Sequence, residues 1–198
     1  TPYRVFTPFY KHAIGQLPEP ESALESPRSL EVAPALDGAH SINDLCLTDQ
    51  RAWNQTVLSH WEPGEEGAKR KLQSFVEKGL DDYREGRDFP ALRAVSRLSP
   101  HLHFGEISPR QVWNYLHANA DASVNREHFL RELIWREFSN NLLYHFPTLP
   151  HQNLQTHFDG FPWMTSEDTL TAWQTGMTGY PIVDAGMREL WATGYMHN

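Results

Sequence analysis

"FLRELIWREFSNNLL", residues 129–143, reads as one helix with two unlike faces. At about 100° per residue, Leu130, Leu133, Ile134, Phe138 and Leu142 gather on one side, the pattern of a stripe buried against a core. Opposite them, Glu132, Trp135, Arg136 and Ser139 share an arc of about 100°. That second face is either solvent decoration or a contact surface, and the cost of leaving an indole in water favours a contact. In chemical terms Trp135 is a plate on which a ring can stack, Glu132 a partner for a base edge, and Arg136 a charge for a phosphate.

Working outward, the helix runs from Glu127 to Tyr144 and stops before Pro147. Upstream, Ser108-Pro109-Arg110-Gln111 is a capping box with proline at the first helical position, opening a helix that carries Val112, Tyr115 and Leu116. Two further helices are expected before it. One runs from Asp49 to about Ser59, and the other is EEGAKRKLQSFVEKGLDDYREG, with Leu72, Phe75, Val76 and Leu80 at helical spacing. Downstream, Ser166 caps a helix that Gly176 ends, and Tyr180-Pro181 opens another that Gly194 ends. Residues 13–40 are rich in Pro, Glu, Ser and Ala without periodicity, a linker composition. With no strand alternation and no internal repeat, the class is all-α and multi-helical.

The 198 residues, 39% hydrophobic and 12% aromatic, suffice for one core or two small ones. No apolar run approaches the roughly 18 residues of a membrane span, and TPYRVFTPFYKHA lacks the apolar centre of a secretory signal, so no membrane partner and a cytoplasmic location are expected. The single cysteine, Cys46, excludes an internal disulfide and, between leucines, reads as a buried, inert thiol. A net charge of −8 excludes binding to nucleic acid by bulk electrostatics. Residues 87–136 nevertheless carry seven positive charges, all arginine, against five negative ones. A focused anion site in the middle third is one reading of this cluster, and a salt-bridged helix surface is the other.

"SRLSPHLHFG", residues 96–105, sets hydroxyls and a proline at a helix start, the arrangement of an anion site and also of an ordinary cap. His101 and His103 lack a third ligand at clear spacing, so no metal is expected. No GxSxG elbow supports a hydrolytic triad.

Five stretches in this order carry a resemblance: WEPGE, YREGRDFP, SRLSPHLHFGEISPRQVW, ELIWREF and TGYPIVDAGMRELWATGYMHN. Together they resemble the DNA photolyase/cryptochrome family, and most of all a bacterial cyclobutane pyrimidine dimer photolyase. The final Asn198 favours that branch. The resemblance implies FAD as cofactor, contacted by Tyr83, by Ser96, Leu98 and Ser99 as a phosphate cradle, and by Arg136. It implies Glu132, Trp135 and Asn198 at the lesion, Arg87 on a DNA phosphate, and Trp173 as the surface tryptophan from which the flavin is photoreduced. Val95 stands where the family usually has threonine, and Phe129 and Tyr195 replace common tryptophans.

The implied activity is light-driven repair of cyclobutane pyrimidine dimers by electron transfer from reduced FAD, with protonated Glu132 donating to a pyrimidine carbonyl and dimer-containing DNA as partner. Residues 1–40 would be the end of an antenna domain and a linker, with any antenna chromophore held before residue 1. Residues 41–198 would be the first half of the FAD-binding helical domain, inactive alone and prone to associate through exposed apolar surface. A cryptochrome-like photoreceptor without repair activity is the alternative, and a helical interaction domain without flavin a third reading.

Overall fold

In the computed structural model, which describes residues 2–16, 21–22, 24–25, 27–32, 38–46 and 52–197, helices supply all the regular secondary structure. In chain order these are α1 (Phe6–Gln16), α2 (Ala52–Leu58), α3 (Glu65–Lys78), α4 (Tyr83–Gly86), α5 (Ser99–His103), α6 (Pro109–Asn119), α7 (Val124–His145), α8 (Glu167–Gln174) and α9 (Pro181–Thr193). Short 3-10 turns lie at Ile42–Leu45 and Thr156–Gly160, and Cys46, expected to be buried, is exposed just after the first of them. None of these helices is long and apolar enough to cross a membrane.

The caps form where the side chains demand them. Ser108 Oγ accepts from Gln111 N–H at 3.1 Å while Gln111 Oε1 accepts from Ser108 N–H at 2.8 Å, completing the reciprocal box. Ser123 and Ser166 cap α7 and α8 in the same way through their hydroxyls. Gly194 closes α9 in the left-handed region, φ 70°, and gives its N–H to Leu190 O. The helix expected across residues 65–86 is instead two. Gly79 N–H and Leu80 N–H both turn back onto Phe75 O and end α3, and Asn125 then takes over the freed chain. Its side-chain amide binds Asp81 O and accepts from Arg84 N–H, which pins the start of α4 to α7.

Two compact units result. The first comprises Thr1–Ala23 with Pro63–Thr165. Its core joins Leu72 and Phe75 of α3 to Leu98, Val112 and Leu116, and to Phe129, Leu130 and Leu133 of α7. Burial of a side chain such as Leu98 is worth about 2 kcal/mol. Gly86 is required by close approach, because a Cβ there would lie 2.5 Å from the Ala94 Cβ. In this unit α1 lies antiparallel on α7: Asn141 binds Tyr3 O, and Phe6 packs edge-on to Phe138. The second unit comprises Leu24–Glu62 with Ser166–Asn198, and in it α9 packs on α2 and α8. Trp61 Nε1 donates to Thr193 O at 2.6 Å. α1 joins the first unit through the packing of Phe6 on Trp135 and Phe138 of α7.

Candidate functional site

The face singled out on α7 forms, with a neighbour from α4. Glu132 is half-buried and accepts at Oε1 from Arg87 Nη1 at 2.6 Å. The same nitrogen reaches the Tyr83 hydroxyl at 3.2 Å. One turn apart, Tyr83 at the start of α4 and Arg87 at its C-cap face α7 together. Burial pushes the Tyr83 phenol up to about 12, so it stays protonated. Burial also opposes the Arg87 charge, but the Glu132 hydrogen bond and the nearby acidic field outweigh it and raise the guanidinium above its ordinary value.

Arg87 turns to Glu132, a carboxylate within reach being a closer partner than solvent. Glu132 accepts through Oε1, and its Oε2 has no hydrogen-bond partner among the described residues. Trp135 is 41% exposed, yet one face of its ring stacks on Phe6 at 3.6 Å between centroids and 6° between planes. Sequence reasoning missed Phe6, although Phe6, Phe9, Tyr10 and Ala13 stand at helical spacing.

The Ser96–Ser99 turn leads into α5, whose first residue is Ser99. Its backbone is left-handed at Arg97, φ 54°, and right-handed at Leu98, φ −83° and ψ −7°, a succession that turns consecutive N–H groups to one side. Leu98 is buried to 1% exposure and anchors the turn, so only its main chain can meet a ligand. Ser96 is half-buried and its Oγ accepts from Leu98 N–H at 3.3 Å, while Ser99 is exposed. Beneath them the backbone N–H of Gly64 and the buried His101 hold the Glu106 carboxyl below its ordinary value. The donor set fits an anionic phosphate. Arg136 is exposed and pairs with Glu137 at 3.1 Å, not with this turn.

In the second unit Trp173 lies on α8, 48% exposed. Asp184 of α9 accepts from the Thr178 hydroxyl at 2.6 Å and from the N–H groups of Thr178 and Gly179, which shapes the turn before Pro181. Asn198 lies outside the described residues. No group of acidic, histidine or cysteine side chains among the described residues could hold a metal ion.

Residues 129–198 match the family described as the FAD binding domain of DNA photolyase. A deoxyribodipyrimidine photo-lyase of Agrobacterium fabrum is 44% identical over the whole chain, which covers 42% of that protein. Cryptochrome-2 of Arabidopsis thaliana is 36% identical, again over the whole chain and 34% of its own length. The crystal structure of a bacterial class III photolyase from Agrobacterium tumefaciens superposes on the whole chain and 41% of its own, with a TM-score of 0.90 at 44% identity. The chain thus spans about two-fifths of the length of its bacterial photolyase relatives. Continuous similarity along all its helices means that the chain belongs to the DNA photolyase/cryptochrome family and has the fold of that family's helical FAD-binding domain.

Proposed function

We propose that the chain belongs to an enzyme that holds FAD and uses light to reverse cyclobutane pyrimidine dimers in DNA. The observation that carries this reading is the pairing, one turn apart on α7, of a half-exposed Trp135 with Glu132 held by Arg87. When bound and reduced, FAD supplies the light-driven electron that opens the cyclobutane ring and is then recovered. Everything else is positioning. The Ser96 and Ser99 hydroxyls and the N–H groups around Leu98 would hold the cofactor phosphates, and Tyr83 would wall its site. Arg136 would have to leave Glu137 to join them. The open face of Trp135 would receive the flipped lesion and exclude water. Arg87 fixes Glu132 Oε1 and leaves Oε2 to meet a pyrimidine carbonyl, where a proton on Oε2 would stabilise charge that develops there. Trp173, exposed on α8, would pass an electron from solvent reductants.

In this reading residues 1–40 end an antenna domain and link it to residues 41–198, and the protein works in the cytoplasm. Exposed Tyr180 and Trp191 of the second unit give it apolar surface for association. Similarity to Cryptochrome-2 along the whole chain favours one second reading, a photoreceptor that binds FAD without repair. Illumination of the native polypeptide with a dimer-containing oligonucleotide decides between them. Restored pyrimidines are expected, and a flavin-loaded protein that repairs nothing under light would establish the photoreceptor instead.

A further inference from the structure

Trp135 does not stand on its helix unsupported. Phe6, which is 5% exposed, lies flat against it, with ring centroids 3.6 Å apart and planes 6° from parallel. Phe6 is itself fixed: Tyr10 lies at 5.6 Å one turn along α1, Phe138 packs edge-on at 5.8 Å, and the Arg131 guanidinium sits 5.3 Å from its ring centre. Arg131 also lies 5.1 Å from Tyr10, so side chains of α1 and α7 interleave in the order Tyr10, Arg131, Phe6, Trp135. Arg131 and Trp135 are four residues apart on α7, as Phe6 and Tyr10 are on α1, which puts each pair on one helical face.

From this interleaving we infer that Phe6 is a positioning residue for substrate recognition, the back plate that holds the Trp135 ring in one orientation before the lesion arrives. The inference rests on the reading of Trp135 as the lesion-stacking wall. A half-exposed tryptophan on a helix surface samples several rotamers, and a ligand that needs one of them must bear the cost of selecting it. A ring locked flat on one side presents its other side alone. The partner for that open side is a flat, uncharged ring system, so the stack would make recognition one-sided and fix the plane in which a flipped pyrimidine pair enters. Substituting Phe6 would therefore act on lesion affinity through Trp135, with no contact of its own to DNA.

The test compares Phe6→Leu, Phe6→Tyr, Trp135→Ala and the Phe6→Leu/Trp135→Ala double variant in the native polypeptide, with near-ultraviolet circular dichroism, thermal midpoint and affinity for a dimer-containing duplex as readouts. Phe6→Leu should weaken lesion binding about three- to tenfold, the worth of one aromatic pair, and change the tryptophan dichroism. Phe6→Tyr should restore both. In the Trp135→Ala background the Phe6→Leu change should cost no further affinity. If Trp135→Ala itself leaves lesion affinity intact, the reading of the face is wrong. If Trp135→Ala weakens binding but Phe6→Leu does not, or if Phe6→Leu costs equally in both backgrounds, the positioning role is overturned and Phe6 is a packing residue only.

Discussion

Arg87 Nη1 meets Glu132 Oε1 at 2.6 Å across 45 residues of sequence, which ties the C-terminal end of α4 to the Glu132–Trp135 face of α7. Both side chains are partly exposed, so the pair should couple by only about 1 kcal/mol in a double-mutant cycle with Arg87→Ala and Glu132→Ala, and less at high salt. Denaturant midpoints of the four proteins at low and high ionic strength measure it. A coupling near zero at low salt would mean that the ion pair does not hold Glu132 in solution.

Gly86→Ala should destabilise the first unit by about 1–3 kcal/mol, because the added Cβ would meet the Ala94 Cβ at 2.5 Å and the loop would have to shift. The same loop leads into Ser96, so flavin retention should fall with stability. A thermal midpoint equal to that of the parent protein would show that the loop yields at no cost.

The all-α class, the Ser108 and Ser166 starts and the Gly194 stop follow from local chemistry that a single sequence displays, a hydroxyl three residues ahead of an N–H or a residue that accepts positive φ. The long helix, expected from Glu127, begins earlier, at Val124 under the Ser123 cap. What was not legible is long-range. Leu80 kept the helical spacing of α3, yet that helix ends at Gly79, and Asn125, 44 residues beyond Asp81, binds the chain between α3 and α4. The wheel of α7 placed Ile134 and Leu142 in the core and overlooked Phe129, which is buried against Phe75 and Tyr83 because α3 and α4 approach from that side. Likewise Glu132 and Trp135 could be read as a face, but their partners Arg87 and Phe6 come from other helices and have no signal in the spacing of α7.

Acid should weaken the second unit through Asp184. The Thr178 hydroxyl, then the N–H groups of Thr178 and Gly179, hold its carboxyl below the ordinary 3.8. A carboxyl lowered by folding contributes stability that is complete above that ordinary value and is lost as pH falls through the folded value. Asp184→Asn should therefore lower the urea midpoint at pH 7 and reduce its decline on acidification. An unchanged slope between neutral and acid pH would place the acid sensitivity of this unit outside Asp184.

The Ser96–Ser99 turn separates backbone from side-chain recognition, because Arg97 holds φ 54° and thereby aims the adjoining N–H groups. Glycine adopts that conformation without strain, whereas proline is locked near −65° and lacks the N–H. If the N–H groups carry the cofactor phosphates, Arg97→Gly should retain flavin and Arg97→Pro should lose it, although neither change touches the serine hydroxyls. Ser96→Ala and Ser99→Ala should each weaken retention by about 1 kcal/mol, the usual net worth of one hydrogen bond. Visible flavin absorbance after gel filtration reads all four. Should Arg97→Gly lose flavin as completely as Arg97→Pro while both remain folded, the guanidinium itself would be the phosphate ligand, and recognition at this turn would run through side-chain charge in place of backbone geometry.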